Sequence, residues 1–497
     1  MRKRFHQQLS LGIVPIPEVA INLKSRHQLP PVLKALQYLF EHEELNEEVF
    51  QILEEKLLKG KKRTGRFGMS LWEILVFGTT RFCLDIDFDF LHDLSNNHEE
   101  LRGILGVAKS DFSSGKSYHY QTLKDNVQLL DEPTIQSISE IVVKASHGLI
   151  KKKEGLACLD LVIKSDSYVI ETNVHFPTDI NLLWDSGRKC LDMIKHLRSQ
   201  GVKLKGWGQH GKWRTKLRKL YRRTSEIHRK KGGKYRERLE EASKEYLALS
   251  GELEKKLKET MQEGGLYIMS GMASIAVYGF LKSLKYYLSM LEKHRDLLHR
   301  RIILKEKIPH GEKVFSIFEP HTEWNNKGKL HKGVELGHNT LIATDQYQFI
   351  LYHEVFEHQV DKSRTIAIGR NIADKYKGAG YHLSSISFDR NFFSFNAKKE
   401  LNKLFDLVIL PKPGKKSQAQ IEEESADNFV KKRKGHSAVE SNINELEHHG
   451  LSKCRDKGID GFKRYVAYGV LAYNLHRMGR ILVQMEREKN SQRAQAA

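Results

Sequence analysis

The chain has 497 residues, with 83 Lys and Arg against 62 Asp and Glu, a formal charge of +21, and 39% hydrophobic residues. That apolar content supports folded cores and excludes a wholly disordered polymer; the length allows about two to four domains. The excess of cations suits a polyanionic partner, either nucleic acid or an acidic membrane surface.

The first residues, Met1 to Gln8, lead into no sustained apolar run, so no secretion signal is expected. Helical spacing then dominates to about residue 150, as in Leu33, Leu36, Leu39 and Phe40, or Leu71, Ile74, Leu75 and Phe77. Residues 1–150 are therefore predicted to form an all-helical N-terminal domain, serving either DNA-end binding or dimerisation. Ser110 to Ser117 interrupts it, and Tyr120 to Asn126 begins another helix. The four cysteines, Cys83, Cys158, Cys190 and Cys454, show no Cys-x-x-Cys spacing, which points away from a zinc knuckle or a disulfide framework and toward a reducing, cytoplasmic setting.

From about residue 155 short apolar runs, Leu156 to Ile163 and Tyr168 to Val174, predict two strands. A helical insertion at about 185–308 follows. Within it, Lys203 to Arg238 holds fifteen Lys or Arg and only two acids, Glu226 and Glu237, interleaved with Trp207, Trp213, Tyr221 and Tyr235. So dense a charge exceeds the needs of a solvated face and predicts contact with DNA. Next, Leu239, Ala242, Tyr246, Leu249, Leu253 and Leu257 mark one face of a helix. The uncharged stretch Gly264 to Leu281 contains Gly271, Gly279, Ser270 and Ser274, and is expected to be a buried helix and not a membrane span.

Beyond residue 310, Leu341 to Thr344 and Phe349 to Val355 predict a hairpin, Asp361 to Lys377 a helix, and Ser384 to Phe388 a strand. Ala397 to Phe405 reads as a helix and Leu407 to Leu410 as a strand stopped by Pro411 and Pro413. Residues 414–435 read as a polar loop, Phe462 to Gln484 as a closing helix, and 486–497 as a disordered tail. By pattern alone, the second part is mixed α/β.

Three acids stand where packing does not call for them: Asp166 within Ser165 to Val169, Asp389 after Ser385 to Phe388, and Glu440 after the basic Lys431 to His436. With the phrase Glu171 to Asp179 (ETNVHFPTD), Leu182-Leu183-Trp184-Asp185, Phe315 to Trp324 and His436 to Asn444, the chain resembles bacterial insertion-sequence transposases of the Asp-Asp-Glu superfamily. The resemblance runs from about residue 70 to about 485. It implies a ribonuclease H-like catalytic domain over 155–485, in which first and fourth strands are neighbours. It implies that Asp166, Asp389 and Glu440 are catalytic and hold Mg2+ or Mn2+, as two ions. It also implies double-stranded DNA, element ends and target, as the partner, and a homodimer that brings two ends together, with no membrane association.

DNA contacts are expected from Lys205, Trp207, Lys212, Trp213, Arg214, Arg218, Arg222 and Arg223, and from Lys431, Arg433 and His436. Trp207 and Trp213 either stack on an unpaired base or close the insertion's core. The chain departs from the family pattern in having Asp389-Arg390-Asn391-Phe392 where Asp-x-Gly-Tyr is common, and Arg433, His436 and Glu447 where Tyr, Arg and Lys are common around the glutamate. Asparagine can replace the glycine if a left-handed turn is required. Rival acids are Asp160, Asp179, Glu445 and Glu447, with Asp160 the strongest because it lies in an adjacent strand-like run, while His175 and Asp179 read as structural groups at the strand exit and not as a histidine-metal site. A silent DNA-binding or architectural protein, and a nuclease that cuts without joining, remain alternatives to the transposase.

Overall fold

The computed structural model describes residues 1–496 apart from 6–12, 62–63, 108–115, 231, 270–274, 327–332 and 379. It is an α/β protein with one mixed seven-stranded sheet and seventeen described α-helices. The chain divides into two compact units, Met1–Asn173 with Asn325–Ala497, and Val174–Trp324.

The first unit opens with helices α1 (Leu29–Glu41), α2 (Glu43–Leu58), α3 (Leu71–Cys83), α4 (Phe88–Asn97), α5 (Glu99–Ile104), α6 (Tyr120–Val127) and α7 (Glu132–Glu154). The predicted break at Ser110 to Ser117 lies mostly outside the described residues. Helix α3 is buried along its whole length and starts in a capping box, where the Ser70 side chain accepts from the Glu73 backbone N–H and Glu73 reaches back to Ser70. Strand β1 (Leu159–Thr172) is one long strand where the sequence pattern predicted two. The apolar pattern fades over Lys164 to Ser167, but the strand is held there by continuous pairing with β3, and by β5 as far as Ser165.

The second unit is the helical insertion, α8 (Asp179–Ser199), α9 (His210–Lys230), α10 (Tyr235–Met269) and α11 (Ile275–Leu298), around its own core of Leu183, Leu191, Ile194, Leu217, Tyr246, Leu253, Leu284 and Leu291. Gly187 lies so close to Leu217 that a Cβ would sit 2.6 Å from its side chain, which is why α8 carries glycine at that crossing. The expected single buried helix over Gly264 to Leu281 is not what the described part shows. Residues 270–274 are outside it, and on α11 Val277 and Leu281 are buried while Ile275 and Tyr278 are exposed. Among the described residues, no helix is long and apolar enough to cross a membrane.

Strand β2 (Glu323–Asn326) spans the boundary, and the first unit continues with β3 (Val334–Thr344), β4 (Ile350–Val355), α12 (Asp361–Tyr376), β5 (Tyr381–Phe388), α13 (Phe395–Leu401) and β6 (Leu407–Ile409). Then come α14 (Gln418–Ser425), α15 (Asp427–His436), α16 (Ala438–Leu446), β7 (Lys453–Cys454) and α17 (Ile459–Ala496). Strand β1 pairs antiparallel with β3 on one edge and parallel with β5 on the other; β4 is antiparallel to β3, and β6 is parallel to β5. Strand β7 takes up the β5 edge of β1 again at Glu171 and Thr172.

Side chains alternate between the two faces of a strand. One face, with Leu161, Ile163, Leu341, Ile386 and Phe388, packs with α12 and α13. The other, with Tyr168, Ile170 and Ile342, belongs to a large core shared with α1 to α7 and α17. The N-terminal helices, set apart by the sequence reading, thus share one core with the sheet and α17.

Two further expectations change. Residues 414–435, read as loop, contain α14 and α15; both are too polar to show a periodic apolar face, and α14 is held by its Ser417–Gln420 capping box and by Lys416–Glu424 at 2.6 Å. The tail from Glu486, read as disordered, continues helix α17 to Ala496.

Candidate functional site

Strands β1 and β5 run side by side in the same direction, with Lys164 opposite Ser387 and Ser165 opposite Phe388. One step further along the same register lie Asp166 and Asp389. Neighbouring strands are about 4.8 Å apart, and side chains alternate along a strand, so Asp166 lies on the sheet face that carries Lys164 and Ser387, while Asp389, still extended, is the first residue beyond the end of β5. Beyond Asp389 strand β5 has ended, and β7 reaches this edge of β1 only at Glu171. The acids therefore flank a gap in the sheet edge. Asp166 is half-buried, and its Oδ1 accepts from the Ser167 backbone N–H at 2.7 Å.

Asp389 is half-buried and precedes a short 3-10 turn, Arg390–Phe392. Asn391 is not among the described residues with positive φ, so the turn dispenses with the left-handed position that glycine would serve.

The third acid arrives on α16. Val439 and Asn442 anchor that helix, the latter donating to the Tyr473 hydroxyl of α17 at 2.7 Å, while Glu440 stands exposed in the first turn. A carboxylate there is favoured by the positive end of the helix dipole. The joint between α15 and α16 is fixed by His436, whose Nδ1 lies 2.9 Å from Ser387 Oγ. Burial pushes the imidazole's pKa down, Asp389 and Glu440 pull it up, and Lys164 pushes it down. His436 thus sits within electrostatic reach of Asp389 and Glu440, on the face that Asp166 shares. Among the described residues, no group of three or more His, Cys, Asp or Glu side chains stands ready at metal-holding distances.

The rival acids separate by position. Asp160 is exposed near the other end of β1, six residues or about 20 Å from Asp166, and lies 2.7 Å from His382 Nδ1. Asp179 belongs to the second unit, where Arg301 Nε is 2.8 Å from its Oδ2. His175, also there, lies 2.6 Å from Asp185, and Thr178 caps α8 with Asn181, the structural arrangement expected for this phrase. Glu445 is half-buried on α16. Glu447 is exposed one turn further on and is a nearby charge for the buried Tyr168 hydroxyl, two residues along β1 from Asp166. It is the strongest rival. Lys164 and Ser387 were not singled out in the sequence, because only the β1–β5 register places them beside the acids.

The basic arm divides likewise. Trp207 is fully buried and donates from its indole N–H to Thr260 Oγ1 at 2.7 Å, so its ring closes the insertion's core and has no face open to a base. Trp213 is half-buried, and Lys256 lies over both rings. Trp207→Phe is expected to lower stability by about 1 kcal/mol through the lost hydrogen bond, seen in the urea midpoint, with DNA affinity unchanged. On α9, Arg214 pairs with Asp192 at 2.7 Å and Arg223 with Glu245 at 2.8 Å. Lys205, Lys212, Arg218 and Arg222 are exposed. Arg218 and Arg222 line a cavity of about 310 Å³ with Arg188 and Arg214, around the stacked rings of Trp184 and Tyr221, 5.5 Å apart. In the first unit Lys431 is exposed, Arg433 lies 3.7 Å from Glu424, and His436 is turned to Ser387 and away from the solvent-facing role expected of a DNA contact.

No protein-family model, curated protein or solved structure matches this chain.

Proposed function

We propose that the chain is a metal-dependent DNA transposase, which hydrolyses a phosphodiester at the ends of a mobile element and transfers the resulting 3′-hydroxyl into target DNA. The observation that carries this reading is the β1–β5 register, which ends at Ser165 and Phe388 and so leaves Asp166 and Asp389 as the next residues along two neighbouring strands, with His436 within electrostatic reach of both Asp389 and Glu440. The strand order supports a ribonuclease H-like core. A hairpin of β3 and β4 lies on one side of β1, parallel β5 and β6 lie on the other, and α12 connects the two.

An all-oxygen set of carboxylates from two strand ends and a helix suits Mg2+ or Mn2+, which favour oxygen ligands and retain water. Asp166, Asp389 and Glu440 would hold the ions; when bound, two such ions activate the attacking oxygen and stabilise the leaving one. The protein's own contribution is placement. Pairing with β3 fixes Asp166, the end of β5 fixes Asp389, and the bond between His436 and Ser387 fixes where α16 begins.

The exposed cations of α9 bind backbone phosphates of double-stranded DNA. Each phosphate neutralised adds about 0.9 to the slope of log affinity against log salt, so Arg218→Ala with Arg222→Ala should flatten that slope by about 1 to 2 units. An unchanged slope would remove α9 from the interface. By analogy with the same family, the protein acts as a homodimer on two DNA ends in a bacterial cytoplasm.

The test is incubation of the full chain with supercoiled plasmid and short duplexes in Mg2+. Nicked and joined products that vanish with EDTA are expected. Binding without any cleavage would favour a silent architectural protein, and cutting without joining a nuclease.

A further inference from the structure

The end of α17 and the segment leading into α1 enclose a second, strongly cationic site, remote in sequence from the three acids and independent of the strand-transfer reading. A cavity of about 660 Å³ is lined there by Arg26, His27, His476, Arg477, Arg480 and Arg487, and no Asp or Glu belongs to its described lining. That volume lies within the range of small-molecule sites, about 300–1,000 Å³. The nearest acids along α17 are engaged elsewhere: Glu486 lies 3.3 Å from Lys34, and Glu488 3.0 Å from Lys153.

The arrangement is built into the packing. Gly479, between Arg477 and Arg480, lets α17 press onto the start of α1, since a Cβ there would lie 1.8 Å from the Pro31 carbonyl oxygen. Arg487 donates to the Leu23 carbonyl at 2.5 Å, tying the N-terminal segment to α17, and Arg477 donates to the Tyr347 carbonyl at 3.0 Å. Each of these guanidiniums has five N–H donors, so most remain for a ligand. Arg26 and Arg480 are exposed, and His476 Nδ1 is buried with no hydrogen-bond partner among the described residues.

Like charges held together without counter-charges repel, and planar guanidinium forks match phosphate oxygens in pairs. The geometry points to a binding site for phosphate groups in this cavity, with Arg26, Arg477, Arg480 and Arg487 as its donors. The phosphates come either from a DNA backbone or from a free phosphorylated small molecule.

The probe is inorganic tripolyphosphate, titrated calorimetrically into the full chain at low salt. Saturable binding is expected, weakened at least tenfold in Arg26→Glu/Arg480→Glu and unchanged in Lys489→Glu, an exposed cation further along α17. Absence of saturable binding, or equal binding by the double variant, would overturn the site. If the charge reversal lowers the melting temperature, Arg26→Gln/Arg480→Gln repeats the comparison with the same two outcomes. Competition by duplex DNA, with duplex affinity also reduced in the double variant, assigns the phosphates to a nucleic-acid backbone. Tripolyphosphate binding with duplex affinity unaltered assigns them to a free small molecule.

Discussion

Asp166→Ala and Asp389→Ala are each expected to reduce Mg2+-dependent nicking by about 10²–10³-fold, the scale of removing one preorganised electrostatic group from an active site. DNA affinity should remain within about twofold, because the exposed cations of α9 lie in the other compact unit. Glu440→Gln should show a loss of the same order, whereas Glu447→Gln should retain most of the activity. Comparing those two matters, because Glu447 is a nearby charge for Tyr168, on the same face of β1 as Asp166. Single-turnover nicking of a supercoiled plasmid separates chemistry from binding. Full activity in Asp166→Ala would remove the catalytic role from this face of the sheet.

The largest loss of stability is expected from His147→Ala. His147 and Asp345 are both completely buried, with Nε2 2.6 Å from Oδ2. Asp345 Oδ1 also accepts from the backbone N–H of Tyr347 and Phe349, so this carboxylate organises the turn between β3 and β4. On its other side His147 Nδ1 lies 3.1 Å from the Tyr381 hydroxyl, at the start of β5. Removing one partner of a buried pair costs about 3–5 kcal/mol, since the other is left without its counterpart. Urea unfolding should show a loss of that size, with His147→Gln, which keeps a donor, losing less. A change below about 1 kcal/mol would mean that the pair contributes little.

Much of this architecture is legible in the sequence where local pattern and tertiary packing agree. The β4 strand, α12, β5 and β6 follow apolar runs bounded by turn residues and lie close to the predicted limits, whereas β3, expected from Leu341, already begins at Val334. Patterning fails where stability comes from polar or distant partners. Lys164 to Ser167 breaks the apolar run, yet continuous pairing with β3, joined by β5 at Lys164 and Ser165, carries β1 straight through. Helices α14 and α15 bury little beyond Phe429, so capping and ion pairs hold what periodicity cannot reveal. The shared core of the N-terminal helices, α17 and the sheet depends on contacts between the two ends of the chain, which no local window contains.

The three acids stand out in the sequence as residues without a packing use, and the adjacency of the strands that carry Asp166 and Asp389 is expected through the family resemblance and not from local pattern. The β1–β5 register, ending at Ser165 and Phe388, leaves Asp166 and Asp389 on adjacent strands, and His436, beside Ser387, lies within electrostatic reach of Asp389 and Glu440. Trp207 illustrates the opposite limit. Its neighbours Lys205 and Lys212 suggested a DNA contact, but a tryptophan among cations can also face inward, as its bond to Thr260 does here.

The most direct measurement is anomalous diffraction from crystals of the chain with Mn2+ and a DNA duplex. Two peaks about 3.5–4 Å apart, shared among Asp166, Asp389 and Glu440, are predicted. Under conditions that support cleavage, peaks held by other acids, or no peaks on this face of β1, would contradict the account.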